Sequence, residues 1–408
     1  MIQPSELASR LFDSHQNYLE TVIAKRRFKQ KDMLPLIEKR KENPLYQVQS
    51  VGESFEGRNI QLLKTGNGKR KVLLWTQMHG DEATATMATF DIFNFLEGKN
   101  DGFDDFRKEL FTNTTLYFVP MLNPDGAERY QRRNAQEIDI NRDALALQAP
   151  ESRILKQLQQ NIQPEFGFNL HDKNPRYSVG NTSKLATISF LATAYDQEKS
   201  INTVREKSMQ VISVMNKAMQ KFIPGQVGKW NEDFEPRAFG DNIQKWGTTL
   251  ILIESGGYAG DPEKQFIRKL NFVAILTGLA SIADNLFAKE GIAEYQALLE
   301  NNRYIYDLLV KNVTVIRDGK KYQADLGINR YEINQDDASS FSYKSIIEDY
   351  GDLSIFSGTE ELDATGLELE HEDISRSLAL DDVATFTLRK NNKSVYAVVN
   401  GFVSDLRN

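Results

Sequence analysis

Val72-Leu73-Leu74-Trp75-Thr76-Gln77-Met78-His79-Gly80-Asp81-Glu82 is the stretch on which the reading of this 408-residue chain turns. It opens with Val72 to Gln77, a compact apolar run of the kind found in strands buried on both faces. Ala83 to Leu96 follows as a helical pattern ended by Gly98. The polar His-Gly-Asp-Glu turn therefore sits between the end of a strand and the start of a helix. An imidazole and a carboxylate that converge there suit Zn²⁺, which takes both ligand types and keeps a position open in catalytic sites. H-x-x-E alone is a common pattern, so its weight depends on what the rest of the chain adds.

Outward from it, strand texture recurs at Thr115 to Met121, Phe166 to Leu170 and Thr248 to Ile253, and helical texture at Ile201 to Phe222 and Phe266 to Phe287. Strands alternating with helices predict an α/β fold with a mixed, mostly parallel sheet sandwiched by helices. Upstream, Leu7, Leu11, Leu19, Val22 and Ile23 predict a helix from Ser5 to about Arg27, and the basic run from Lys25 to Lys31 reads as its solvated end. Downstream, Ile292 to Val310 reads as helical. From Val313 on, short alternating runs with hairpin signals at Asp318-Gly319 and Asn391-Asn392 predict a small β-rich domain. The expected organisation is a helical segment, 1–45, packed on a catalytic domain, 46–290, then a connecting helix, 291–310, and the β-rich C-terminal domain, 311–408.

Composition narrows the function. Fifty Lys and Arg stand against 57 Asp and Glu, a net charge of −7, which argues against nucleic-acid or anionic-membrane partners. Fourteen acidic residues fall between Asp336 and Asp382, a tract read as a solvated face. The absence of cysteine excludes disulfides, thiolate nucleophiles and Cys-ligated metals. No apolar run approaches a membrane span, and the first residues lack the order of a signal peptide, so the expectation is a cytoplasmic protein unless a signal has been removed.

The remaining strand ends carry chemistry too. His171 ends the run Phe166 to Leu170, and Glu254 ends Thr248 to Ile253 ahead of Ser255-Gly256-Gly257. In open α/β sheets the crevice lies at the carboxyl ends of the strands, and His79, Glu82, His171 and Glu254 all fall at such ends. Asn123-Pro124-Asp125-Gly126 reads as a tight turn. Arg132, Asn134, Asp139, Asn141 and Arg142 follow in a polar, irregular segment suited to capturing a carboxylate, because a guanidinium can bind it through two parallel hydrogen bonds. Thr65-Gly66-Asn67-Gly68-Lys69 reads as a hairpin turn rather than a phosphate loop, and His15 and His371 as structural or solvent-facing.

This ordered set, running from Gly52 to Gly257 as S-x-E-G-R-x-I, H-G-D-E, N-P-D-G, R-x-N, D-x-N-R, strand-His and strand-Glu, resembles the M14 or funnel-type zinc carboxypeptidases in their cytosolic and bacterial branch. The resemblance implies one Zn²⁺ per chain, with His79, Glu82 and His171 as ligands and Glu254 as general base. It also implies that Arg132 polarises the scissile carbonyl, that Asn141 and Arg142 hold the terminal carboxylate of a peptide, and that Asp241 or Arg237 sets side-chain preference.

Two departures from the family stand out. No tyrosine occurs between Asn231 and Trp246, where the family carries one that caps the substrate, leaving Phe234, Phe239 or Trp246 to line the site. Asp172 also stands where Ser or Thr is usual, as a partner of the ligands or part of a specificity pocket. The alternatives within the fold are an N-acyl amino-acid deacylase or murein-peptide amidase, with an acyl-amino-acid substrate, and outside catalysis a peptide-binding module.

Overall fold

The computed structural model describes residues 3–371 and 378–407, and the chain divides into two units: Met1–Pro175 with Ala186–Asn301, and Arg176–Leu185 with Asn302–Asn408. Residues 372–377 of the acidic tract lie outside the described residues.

The strands of the larger unit are β1 (Gln47–Glu53), β2 (Asn59–Gly66), β3 (Arg70–Trp75), β4 (Thr114–Val119) and β5 (Phe166–Asp172). After β6 (Ser178–Val179), which belongs to the smaller unit, come β7 (Ile188–Leu191), β8 (Val227–Lys229) and β9 (Thr249–Ser255). They form one eight-stranded sheet in the order β1-β2-β4-β3-β5-β9-β7-β8. Its centre, β4-β3-β5-β9, is parallel throughout. Those four are the runs whose apolar, β-branched composition marks them as strands in the sequence, and they are buried almost completely because helices cover both faces. The flanking β1, β2 and β7 join antiparallel to their inner neighbours, so the sheet is mixed.

One face of the sheet packs Leu73, Trp75 and Leu250 against Ile154, Leu155 and Leu158 of the helix Pro150–Ile162 and against Phe239 and Ile243. The helix Gln265–Ala283 is long and apolar enough to cross a membrane, yet 89% of its apolar window is buried within the protein. It is a core helix. At Gly278 a Cβ would come 3.1 Å from Phe168, so a side chain there would push the helix off the sheet.

Three local expectations need correction. The segment Gly66 to Lys69 is not a hairpin: it links β2 and β3, which lie on opposite sides of β4, and it folds tightly over the start of that strand. The first helix, Pro4–Ser14, stops well short of Arg27, and a second, Gln30–Lys41, follows. The basic run is solvated only at Lys25 and Lys31. Arg26, Arg27 and Lys29 are buried; Arg27 stacks 4.0 Å over the ring of Tyr130, while Arg26 donates to the Tyr130 hydroxyl at 3.2 Å. Aromatic faces and nearby carboxylates such as Glu263 compensate these cations for lost water.

The smaller unit is β-rich. Its strands include Ile305–Arg317, Lys320–Gln335, Ser340–Gly351, Phe386–Lys390 and Lys393–Val399, around a core of Leu308, Val313, Leu326, Ile347, Phe386 and Leu388. Asp318-Gly319 and Asn391-Asn392 are two-residue hairpin turns with positive φ throughout, as their sequences predict. The expected connecting helix is reduced to Ala293–Gln296; strand structure begins at Asn301–Asn302 and resumes at Ile305. The run Ile305 to Val310 pairs with strands on both sides, and that pairing prevails over its helical spacing.

Candidate active site

Beyond β3 the chain turns sharply to present His79 and Glu82. The turn is pinned internally: Gln77 Nε2 donates to the Gly80 carbonyl at 3.0 Å, and Thr86 Oγ1 donates to Gln77 Oε1 at 2.8 Å. It is also pressed against the Asn-Pro-Asp-Gly segment, which is a short helix, Pro124–Arg129, capped by Asn123. A Cβ on Gly80 would lie 1.9 Å from the Gly126 carbonyl carbon, so only glycine fits there. Asp125 in turn is buried and gathers the Ser-Phe-Glu-Gly-Arg loop, accepting from Ser54 Oγ at 2.7 Å, the Glu56 N–H at 2.9 Å and Arg58 Nη1 at 2.6 Å. These two motifs therefore shape the site rather than enter it.

His171 and Glu254 are register partners at the ends of the parallel strands β5 and β9, so both side chains leave the same face of the sheet. His171 Nδ1 lies 2.6 Å from Glu82 Oε2, and His79 Nδ1 lies 2.7 Å from Glu82 Oε1. One ligand atom from each of the three residues lies within 4.8 Å of the others, and all three residues are buried. Two imidazoles and a carboxylate in that compass fit a tetrahedral Zn²⁺ with its fourth position open. The remaining nitrogen of His79, Nε2, lies 3.2 Å from Asp139 Oδ1, a carboxylate partner that leaves Nδ1 directed inward.

The electrostatics follow from this crowding. Burial alone would raise the pKa of Glu82, yet the two histidines hold it far below the usual carboxylate range. Burial disfavours charge on His79, but Glu82 and Asp139 outweigh it and raise its pKa. His171 is pushed down by burial. Glu254 is driven well above its ordinary value by burial and by the Glu82 charge, and its Oε2 has no hydrogen-bond partner among the described residues. Lys173 is buried beside it and donates to Ser189 Oγ, the side chain directly across the ladder from Glu254.

Arg132 reaches the same point: its Nη1 is 3.1 Å from His79 Nδ1 and 3.4 Å from Glu82 Oε1, and its Nε donates to Asp139 Oδ2 at 3.0 Å. Asn141 follows Asp139 on a single 3-10 turn; its Oδ1 accepts the Phe239 N–H at 2.9 Å, which ties this turn to the start of the short helix Phe239–Lys245 ahead of β9. Arg142 Nε lies 3.3 Å from Glu235 Oε2. Asn134, by contrast, is buried in loop bracing, with its amide on Glu151.

Arg237 and Asp241 are not equivalent. Arg237 is exposed, and its guanidinium is held through two hydrogen bonds by Glu235. Asp241 is buried beneath the same loop, accepting the Glu235 N–H at 2.9 Å, and burial raises its pKa to about 7. Phe239 and Trp246 do not stand in for a capping tyrosine: Phe239 is a core residue, and Trp246 packs edge-on against it with Lys156 over its ring. Asp172 is a brace, its backbone N–H on Glu82 Oε2 at 3.2 Å and its carboxylate accepting from Thr84 and Lys264. Lys173 and Lys264 went unread in the sequence because nothing local to either residue marks it.

Residues 36–174 match the family described as zinc carboxypeptidase, Peptidase M14. Carboxypeptidase D of Drosophila melanogaster is 32% identical over 115 residues, 24% of this chain and 8% of that protein. Carboxypeptidase B of Astacus astacus is 33% identical over 85 residues, 20% of this chain and 27% of that protein, so the matches span well under a third of either relative's length. Among solved structures, a metallo-carboxypeptidase from Burkholderia cenocepacia superposes with a TM-score of 0.52 at 18% identity, over 64% of this chain and 70% of that one. The larger unit has the fold of a metallo-carboxypeptidase, with a three-residue metal-type cluster at its strand ends. Within it, the stretch 36–174 is similar to the M14 zinc carboxypeptidases, a family of peptide hydrolases.

Proposed function

We propose that the protein is a zinc-dependent metallocarboxypeptidase that hydrolyses the C-terminal peptide bond of peptides, with one zinc ion held by His79, Glu82 and His171. The observation that carries this reading is the position of Glu254: a buried carboxylate with a partner-free oxygen, in register with His171 beside the three-residue cluster. Zinc at that donor set supplies Lewis acidity, which makes a water molecule acidic near neutral pH.

The residues of the chain then divide the work. Glu254 takes the proton of the attacking water and returns it to the leaving amine, a role that suits a carboxyl whose pKa lies above its ordinary value. Arg132 donates to the scissile carbonyl oxygen as it gains charge. Arg142 and Asn141 receive the terminal carboxylate, the guanidinium through charge-assisted hydrogen bonds.

The test is mass spectrometry of a peptide pool in which each peptide is present as free acid and as C-terminal amide. Stepwise trimming of the free acids alone supports the reading. Inert peptides together with hydrolysis of N-acyl amino acids would replace it with deacylase or amidase action.

A further inference from the structure

Below His171 and Glu254, one pleat deeper on the same face of the sheet, lies a cluster of buried polar atoms without partners. Asn169 is two residues before His171 and so shares its face. Its register partners are Trp75 on β3 and Leu252 on β9. Both amide atoms of Asn169, the Trp75 Nε1, the Thr193 Oγ1 and the Gln244 Nε2 are buried and make no hydrogen bond among the described residues.

Asn169 and Thr193 converge on Gly240. A Cβ placed on Gly240 would lie 3.4 Å from Asn169 Nδ2 and 3.5 Å from Thr193 Cγ2, and Gln244 stands one turn beyond Gly240 on the short helix Phe239–Lys245. Leaving a buried donor or acceptor unmet costs about 1–3 kcal/mol, so a polar group that reached these side chains would gain by meeting them.

We propose that this cluster receives the side chain of the substrate's terminal residue and selects a neutral carboxamide, so that the protein preferentially removes C-terminal glutamine or asparagine. The inference rests on the carboxypeptidase reading above. The cluster offers three N–H donors, one carbonyl oxygen and one hydroxyl, a set that a carboxamide satisfies in both directions. None of its side chains carries charge. Two strand residues span about 6.6 Å, a depth better matched by glutamine than by the shorter asparagine.

The test compares kcat/KM on blocked dipeptides that differ only in the terminal residue: glutamine, leucine, glutamate, phenylalanine and lysine. The expected result is a preference for glutamine over leucine of at least about tenfold, because a site built to hydrogen-bond rejects the analogue that lacks the group. Asn169→Leu should lower the glutamine-to-leucine ratio by a similar factor, and Thr193→Val is the second variant should the first fail to fold. Equal rates on glutamine and leucine, or variants that leave the ratio where it was, would overturn the proposal.

If none of the dipeptides is cleaved, the peptidase reading fails separately. Calorimetric binding of N-acetylglutamine against N-acetylleucine to the zinc-loaded protein then decides the pocket: tighter binding of the glutamine derivative supports the inference, and equal binding overturns it.

Discussion

Asp139 Oδ1 lies 3.2 Å from His79 Nε2, while the other oxygen of the same carboxylate accepts from Arg132. One side chain thus orients the imidazole proposed as a metal ligand and the cation beside it. Asp139 also accepts the Asn141 N–H at 2.9 Å, so it sets the turn that presents Asn141 and Arg142. The histidines hold their ring orientation only as firmly as such partners hold them. Asp139→Ala is therefore expected to weaken zinc binding by about 10–100-fold. Competition against a chromogenic chelator measures this, and unchanged affinity would show that Asp139 serves the substrate loop alone.

Gly80 and Gly126 meet backbone to backbone, and the motifs H-G-D-E and N-P-D-G depend on that meeting. Gly80→Ala places a methyl group where the Gly126 carbonyl carbon already stands. The expected outcome is a loss of about 1–3 kcal/mol in stability together with weaker zinc binding, because the turn carrying His79 must shift. Denaturant unfolding and metal titration of the same sample check both; normal values for both would mean that the turn is loose.

Asp241 provides a pH signature independent of catalysis. Its pKa rises from 3.8 to about 7 through burial, so between those limits the folded protein keeps a proton that the unfolded chain releases. Its contribution therefore makes stability fall as pH rises through that window and level off above it, with a slope of at most about 1.4 kcal/mol per pH unit. Asp241→Asn removes the slope, so the difference between variant and wild-type stability should grow from pH 4 to pH 7. A flat difference would place the carboxyl in contact with solvent or a cation.

Arg142 is held by Glu235 yet half exposed, which leaves its guanidinium able to meet a carboxylate. Arg142→Ala should raise KM selectively for free-acid peptides. An equal effect on amidated peptides would remove Arg142 from carboxylate recognition.

How much of this was legible in the sequence follows from the range of the forces involved. The four central strands announce themselves because burial on both faces demands unbroken apolar runs, and His79, His171 and Glu254 are conspicuous as the polar residues that close or closely follow such runs. The outer strands β1, β7 and β8 are half exposed or only a few residues long, so no pattern accumulates. The N-terminal helix was read too long because apolar spacing continues past Ser14, although Val22 proves to be exposed. The buried arginines Arg26 and Arg27 depend on Tyr130 about a hundred residues away, and Asp172 on Lys264. Such pairings exist only once the chain is folded. Asn169 was likewise unremarkable as one polar residue within a strand, and only the absence of any partner makes it conspicuous.

The central claim is that His79, Glu82 and His171 hold zinc while Glu254 performs proton transfer. Metal content and peptide hydrolysis, measured on the same preparations of wild type and Glu254→Gln, test it most directly. The account predicts one zinc per chain in both, with turnover in the variant reduced about 10²–10⁴-fold. Normal turnover in a variant that retains its zinc would contradict the account.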